Sequence, residues 1–133
     1  MTTIFADTSF YVAMLSPRDR LHPKALEFLR GYAGRTITTE QVLTETGNWS
    51  AASGDRDAFL ALLESIRADA KATVVWSDRA MFEAGLRLYA ARPDKQWSLT
   101  DCISFVVMKD RGITEALTAD HHFEQAGFKA LLR

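Results

Sequence analysis

Short apolar stretches alternate with longer amphipathic stretches along this chain. The pattern predicts five strands in segments that are short and largely apolar or β-branched: 3–6, 35–38, 73–76, 115–118 and 129–132. It predicts helices in 9–15, 22–32, 55–70, 77–91 and 98–112, in a further stretch that runs to about residue 52, and in a short turn from Asp120. The clearest helical spacing is that of Phe59, Leu62, Leu63 and Ile66, which share one face.

Two four-residue patterns predict where helices begin. In Thr38-x-x-Gln41 and in Ser98-x-x-Asp101, a hydroxyl residue is followed three positions later by a side chain that can bond back to the chain. We therefore expect Thr38 to open the helix that runs to about residue 52, and Ser98 to open the helix that runs to Gly112.

The alternation of strands and helices predicts the fold class. It indicates an α/β protein, a three-layer αβα arrangement around a central parallel sheet of four to five strands. A chain of 133 residues suits a single domain over residues 1–133 with a sizeable core. Its 47% hydrophobic and 25% charged residues are ordinary for a globular protein.

Four acidic residues stand where such a fold can gather them. Asp7 and Asp120 directly follow predicted strands, Asp101 lies in the first turn of a predicted helix, and Glu45 lies one turn into another. In a wound parallel sheet, ligands bind beyond the carboxyl ends of the strands. We therefore expect all four carboxylates to converge at that edge.

Carboxylates in this position call for a positive partner. None of the four has a lysine or arginine three or four positions away, where a helix would place a partner. Buried carboxylates are costly unless a charge compensates them, and carboxylate oxygens are preferred ligands of Mg²⁺ and Mn²⁺. The set predicts a metal-dependent enzyme that acts on phosphodiesters.

Each acid also has a simpler interpretation. Asp7 and Asp120 could cap the helices that follow them, Asp101 could only complete its capping box, and Glu45 could be a solvated helix residue. For one acid alone the two interpretations are about equally good, but four carboxylates at one edge favour the metal site.

Other polar residues are weaker candidates. Local bonding to the backbone explains the hydroxyls of Thr8 and Thr100 as well as a supporting role does. We expect His121 and His122 to lie at the surface or behind the metal ligands, because they lack the i,i+4 spacing of a helical metal pair. Basic residues that could hold substrate phosphates, or be solvated charges, are Arg18, Arg20, Arg92 and Lys95.

Net charge, apolar runs and cysteine content limit the substrates, locations and kinds of site that the sequence allows. The formal net charge of −1 argues neither for nor against a nucleic-acid substrate, since an acidic metal site lowers it. The apolar runs are too short to span a membrane, and we see no signal peptide. The single cysteine, Cys102, excludes an internal disulfide and a cysteine-based zinc site, and it suits a reducing cytoplasm.

We expect Cys102 to be a core thiol, and Trp97 to cover the core or to stack a base.

The ordered motifs resemble those of PIN-domain ribonucleases, most closely the VapC-type toxins of toxin–antitoxin pairs. The matching segments are Ile4-Phe5-Ala6-Asp7-Thr8-Ser9, the helix that carries Glu45, Ser98-Leu99-Thr100-Asp101-Cys102, and Leu117-Thr118-Ala119-Asp120-His121-His122-Phe123. The resemblance covers essentially the whole chain, since these segments follow one another from near its start to near its end. The set at these spacings is far more specific than any one segment.

The resemblance implies a function and partners. In that family the residues that match Asp7, Glu45, Asp101 and Asp120 hold one or two Mg²⁺ or Mn²⁺ ions that activate a water for RNA cleavage, and Thr8 and Thr100 stand where polar helpers lie. It implies an endoribonuclease toxin that an antitoxin protein inhibits, and a homodimer. We expect Trp49, Phe59 and Leu63 to contribute to an apolar partner surface.

The sequence leaves other functions open. An RNA-processing nuclease without a toxin role would have the same acidic pocket, and so would a DNA nuclease. A non-catalytic interaction module with this fold is disfavoured because all four acids are present. An aspartyl-phosphate phosphatase is disfavoured because Asp7 lacks an Asp-x-Asp spacing.

Overall fold

Five parallel strands form one sheet, as the fold-class prediction requires. The computed structural model describes residues 1–133. The strands are β1 (Thr3–Ala6), β2 (Arg35–Thr39), β3 (Ala72–Val75), β4 (Glu115–Leu117) and β5 (Lys129–Ala130). Their order across the sheet is β3-β2-β1-β4-β5, and every neighbouring pair is parallel.

Seven helices flank this sheet. They are α1 (Thr8–Leu15), α2 (His22–Gly31), α3 (Glu40–Ala52), α4 (Arg56–Ala68), α5 (Arg79–Ala91), α6 (Leu99–Asp110) and α7 (His121–Gln125). Helix α5 packs closely on α6, and Gly85 of α5 allows this because a side chain there would collide with Ile103. None of the seven is both long enough and apolar enough to cross a membrane.

The core surrounds the central strand and helix α6. Ile4, Phe5 and Ala6 of β1 are buried, and Phe5 and Phe105 both pack near the ring of Phe123. Burial of such side chains contributes about 1.5–3 kcal/mol each, so this region anchors the fold. Cys102 is buried and free, as predicted.

The strand order brings two distant parts of the chain together. Strands β1 and β4 are neighbours, with Ala6 opposite Leu117 in the register. The residues that come next, Asp7 after one strand and Thr118 after the other, therefore meet at the carboxyl edge of the sheet.

One predicted helix start is wrong by one residue. Thr38 does not cap α3: it lies in β2, and its hydroxyl donates to the carbonyl of Ala6 at 2.8 Å. Thr39 is the cap and accepts from the backbone N–H of Val42 at 3.1 Å. The strand continues one residue further than predicted because Thr39 still pairs with Val75 of β3.

The second helix start is as predicted. The Ser98 hydroxyl accepts from the backbone N–H of Asp101, and the Asp101 carboxylate accepts from that of Ser98, so the capping box is complete. The other element boundaries agree with the predicted ones to within two residues.

The predicted apolar partner surface is placed differently. Trp49, Phe59 and Leu63 are partly buried, since α3 and α4 pack together with Phe59 against Gly47. The large apolar side chains that are exposed lie mainly elsewhere: Met1, Leu29, Leu60, Trp76, Phe82, Leu86 and Tyr89. Three of these, Phe82, Leu86 and Tyr89, follow one face of α5.

Candidate metal centre and active site

All four predicted carboxylates line one cleft. It encloses about 460 Å³ at the carboxyl edge of the sheet, and its walls include Asp7, Glu45, Asp101 and Asp120. A fifth acid, Asp19, also lines it, while no lysine or arginine does. The prediction that the four acids converge therefore matches the observed placement.

Asp7 is the most deeply buried of these acids. It occupies the position before α1, yet its side chain does not cap that helix. Its Oδ2 accepts hydrogen bonds from Thr118 Oγ1 at 2.8 Å and from Ser9 Oγ at 3.2 Å. The alternative interpretation of Asp7 as a helix cap is therefore wrong, because its carboxylate is tied to the end of β4 instead.

The Ser9 and Thr118 hydroxyls join the two strand ends. They lie 3.1 Å apart, and they also accept from the backbone N–H groups of Ala119 and Asp120. Thr118 thus contacts the Asp7 carboxylate with its proton and the backbone of Asp120 with its oxygen. This network fixes the position of one acid relative to the other.

Asp101 and Asp120 combine a capping role with a place in the cleft. Asp101 completes the box at the start of α6, and its side chain is only 11% exposed. Asp120 caps α7 by accepting from the backbone N–H of His122 at 2.9 Å. The capping interpretation and the metal interpretation are therefore compatible for both residues.

Burial and mutual repulsion make two of these carboxylates weak acids. The pKa of Asp7 is raised from 3.8 to about 7, mainly by burial and to a smaller extent by the neighbouring charges of Asp101 and Asp120, although the hydrogen bond from Thr118 opposes the shift. Burial and the charge of Asp120 also raise the pKa of Asp101. No lysine or arginine lines the cleft to compensate these acids, and only His122 lies near Asp101, so a divalent cation would supply the missing positive charge.

Glu45 differs from the other three because it is exposed. It lies on α3 at the rim of the cleft. It also lines an adjoining groove together with Thr100. Thr100 is therefore near Glu45, rather than among the residues that line the cleft.

Two unpaired polar atoms support the fit to a metal. The buried side-chain atoms without a hydrogen-bond partner are Thr8 Oγ1, Gln41 Oε1 and His122 Nδ1. Thr8 and His122 line the acidic cleft. Buried polar groups normally have partners, so a cleft with two such atoms and several carboxylates suits a bound cation with its water.

The predicted basic residues lie outside this cleft. Arg92 and Lys95 line a larger groove of about 900 Å³ that shares Gln96 and Ser98 with the acidic cleft. Arg92 forms two hydrogen bonds to Asp94, at 2.9 and 3.0 Å, and its guanidinium lies over the ring of Trp97. Arg18 lines a separate groove, and both Arg18 and Arg20 are exposed.

Trp97 covers the core. It is buried, its ring packs edge-on against Phe105, and its Nε1 donates to Gln125 at 3.0 Å. The structure therefore matches the expectation that Trp97 covers the core, and its buried ring does not match the alternative of stacking a base.

Several residues of the cleft were not predicted from the sequence. The sequence does not single out Ser9, Asp19 or Thr118 as site residues. It predicts that His122 lies at the surface or behind the metal ligands, whereas its ring faces two of the acids. Thr118 had a usable signal, because it ends the strand beside the one that precedes Asp7. Asp19 had none, since it lies in the loop between α1 and α2.

A family model described as "PIN domain" matches residues 4–129. The chain belongs to the PIN-domain family. Within it, the chain is similar to the 23S rRNA-specific endonuclease VapC20 of Mycobacterium tuberculosis, with 29% identity over 128 residues in both of two strains. The match covers 94% of this chain and 95% of VapC20.

Two solved structures are also similar to this chain. The crystal structure of M. tuberculosis VapC20, a "Sarcin-Ricin loop cleaving toxin", matches with a TM-score of 0.86 at 27% identity, over 94% of this chain and 95% of that one. FitAcB from Neisseria gonorrhoeae matches at a TM-score of 0.64 and 16% identity, over 96% and 94%, which supports the fold alone. The predicted family is therefore confirmed, and the comparisons support the predicted ribonuclease activity of the toxin type.

Proposed function

We propose that this protein is a divalent-metal-dependent endoribonuclease and the toxin of a type II toxin–antitoxin pair in the cytoplasm. The observation that carries the proposal is a cleft with four predicted carboxylates, two of them buried with raised pKa values, and no lysine or arginine in its walls. The similarity to VapC20 over almost the whole chain supports RNA as the substrate.

Asp7, Asp101 and Asp120 are the proposed ligands of Mg²⁺, or of Mn²⁺ in its place. Glu45 completes the set from the rim, and Thr8 and Thr100 are proposed supporting residues. A bound divalent ion lowers the pKa of its water and stabilises the charge that develops on phosphate oxygens. No histidine is needed as a base.

The chain's own contribution is to hold these carboxylates in place before substrate arrives. Ser9 and Thr118 orient Asp7, and the Ser98 capping box orients Asp101. Groups that orient metal ligands in this way typically affect metal affinity or activity by about 10–100-fold. Repulsion between the carboxylates is unfavourable. Core packing offsets it when the protein folds, because this packing fixes the ends of the strands that carry them.

The proposed substrate is a single-stranded or looped RNA. The bases of a regular RNA helix are stacked and their major-groove edges are poorly accessible, whereas loops present splayed nucleotides to an open cleft. VapC20 is named for cleavage of 23S rRNA and its crystal structure for cleavage of the sarcin–ricin loop, so that loop is a rational first substrate. Arg92 and Lys95 are proposed to hold phosphates in the groove that adjoins the cleft, and Arg18 and Arg20 beyond it.

We expect RNA cleavage to require a divalent metal. A looped RNA oligonucleotide should be cut with Mg²⁺ or Mn²⁺, yielding a 3′-hydroxyl and a 5′-phosphate, and should stay intact in EDTA. A fully paired duplex of the same sequence is the control and should be cut far more slowly. Undiminished cleavage in EDTA would contradict the proposed function.

The proposed partners are a second copy of the chain and an antitoxin. The apolar face of α5 formed by Phe82, Leu86 and Tyr89 is exposed, and Leu86 and Tyr89 line the large groove beside the cleft. Contiguous exposed apolar side chains commonly mark partner surfaces. A basic antitoxin side chain entering the acidic cleft could compete with metal by charge.

We expect a homodimer in solution and relief of toxicity by a small partner. Light scattering at micromolar concentration should give twice the mass of the chain, and expression should arrest growth unless the neighbouring small gene is expressed with it. A monomeric mass would contradict the dimer. Growth arrest that the neighbouring gene does not relieve would contradict the antitoxin and leave a stand-alone nuclease.

A further inference from the structure

The imidazole of His122 faces two of the carboxylates in the acidic cleft. Its Nδ1 lies 3.2 Å from Asp120 Oδ1 and 3.4 Å from Asp101 Oδ2. The side chain is 18% exposed, so it belongs to the wall of the cleft more than to the surface. Its backbone N–H, bonded to Asp120, fixes the residue in this position.

Neither of these close contacts has the geometry of a hydrogen bond. His122 Nδ1 is buried and lacks a hydrogen-bond partner, although two carboxylate oxygens lie within reach. A protonated nitrogen beside two acceptors would be expected to aim at one of them. An atom that points at neither oxygen suits a third species located between the three atoms.

We propose that His122 Nδ1 is a ligand of the divalent metal, shared with Asp101 and Asp120. This rests on the proposed function, since it concerns the same ion. The role needs the tautomer that carries its proton on Nε2, which leaves a lone pair on Nδ1. Each carboxylate oxygen accepts one backbone N–H and retains a second lone pair for a metal.

The spacing of the three atoms agrees with this role. Ligands at 2.0–2.1 Å in neighbouring octahedral positions lie about 3 Å apart, and the two measured separations from Nδ1 are 3.2 and 3.4 Å. His121 approaches only one of the two acids, Asp120, although a ligand atom of its ring lies within 4.8 Å of those of Asp120 and His122. Its Nδ1 lies 3.7 Å from Asp120 Oδ1, and its side chain is 57% exposed.

A nitrogen ligand changes which metal the cleft prefers. An all-oxygen site suits Mg²⁺, whereas imidazole suits the transition metals. We therefore expect His122 to shift the preference of this site from Mg²⁺ toward Mn²⁺. Without His122, the remaining oxygen ligands would bind both ions with more similar affinities.

The main competing role for His122 predicts the opposite result. A histidine that only supplies positive charge to Asp101 and Asp120 would have to be displaced by the incoming metal. Its removal would then strengthen metal binding, whereas removal of a ligand weakens it. The sign of the change in affinity therefore separates the two roles.

The test uses Mn²⁺ as a spectroscopic probe of the whole protein. The spin-echo spectrum of bound Mn²⁺ should show coupling to a ¹⁴N nucleus in the unchanged protein and in His121→Ala, and should lose it in His122→Ala. By calorimetry, His122→Ala should bind Mn²⁺ on the order of tenfold more weakly, with a smaller change for Mg²⁺. Melting curves in EDTA check folding, and His122→Gln, which keeps the side-chain length, replaces His122→Ala if that variant is unfolded.

Each outcome of these measurements either supports or overturns the role of His122 as a metal ligand. Nitrogen coupling that His122→Ala or His122→Gln abolishes supports the proposal. Bound Mn²⁺ without nitrogen coupling, or unchanged or tighter Mn²⁺ binding by the variant, overturns it and leaves the proposed ribonuclease intact. A protein that binds neither Mn²⁺ nor Mg²⁺ overturns the metal-dependent function as well.

Discussion

Asp7→Asn is expected to lower RNA cleavage by at least about a hundredfold, because a metal that has lost a ligand supplies several kcal/mol less stabilisation of the developing charge. The same change should raise the melting temperature of the metal-free protein at pH 8. Asparagine keeps an oxygen that can accept from Thr118 and Ser9, but it carries no charge to be buried. Cleavage of a looped RNA and thermal melting in EDTA measure the two effects.

Glu45→Gln is the matched control for this experiment. Glu45 also lines the cleft, but its side chain is exposed, so its charge costs little in the metal-free protein. We expect a smaller loss of cleavage than for Asp7→Asn and an unchanged melting temperature. If Asp7→Asn melts at a clearly lower temperature and still cleaves RNA, Asp7 is a structural residue and the proposed metal centre is wrong.

The position of the acids could be predicted because it depends on topology alone. Asp7 comes directly after β1, Asp120 lies just beyond β4, and adjacent parallel strands bring the residues at their carboxyl ends to one edge. Asp101 could be placed because Ser98 marks the start of its helix. These inferences need the order of elements and not the packing of side chains.

The hydrogen bonds that orient the acids could not be predicted. Thr118 and Asp7 are 111 positions apart in the chain, and the bond between them depends on the register of β1 against β4. A threonine after a strand has many possible partners until that register is known. The same holds for Ser9, whose hydroxyl meets Thr118 across this gap.

Local interactions explain why the predicted cap of α3 is wrong and why Arg92 is a weaker candidate for binding phosphate. The sequence could not choose between Thr38 and Thr39 as the cap of α3, since both can accept from the backbone and only strand pairing separates them. Arg92 is a candidate phosphate ligand on its charge alone, but the carboxylate of Asp94 lies two residues away. Asp94 takes two of its hydrogen bonds, so less of the Arg92 charge remains for a substrate phosphate.

The i,i+4 spacing rule for helical metal-binding histidines does not predict the placement of His122. Two adjacent histidines cannot lie on one face of a helix, and from this the sequence predicts that neither is central. Helix α7 has only five residues, and His122 stands in its first turn. Its ring is directed by the cap that Asp120 provides rather than by helical periodicity.

The metal-free protein is expected to lose stability as the pH rises from about 4 to about 7. The pKa of Asp7 is about 7 in the folded chain, and it is near its ordinary value of 3.8 when the chain is unfolded. Between these values the folded state holds a proton that the unfolded state has released, so raising the pH favours unfolding. Asp101 acts in the same direction, because its pKa is also raised.

The size of this effect can be measured with Asp7→Asn as the reference. Between pH 5 and the pKa of about 7, the part of the shift that the experiment covers is about two pKa units, on the order of 3 kcal/mol, or roughly 10 °C in melting temperature for a chain of this size. Melting curves in EDTA between pH 5 and pH 8 should fall steeply for the unchanged protein and much less for the variant. Saturating Mn²⁺ should flatten or invert the slope, since metal binds the ionised carboxylates and competes with protons. Equal slopes for the two proteins in EDTA would show that Asp7 is already ionised and compensated in the folded chain, which would remove the electrostatic argument for a cation at this site.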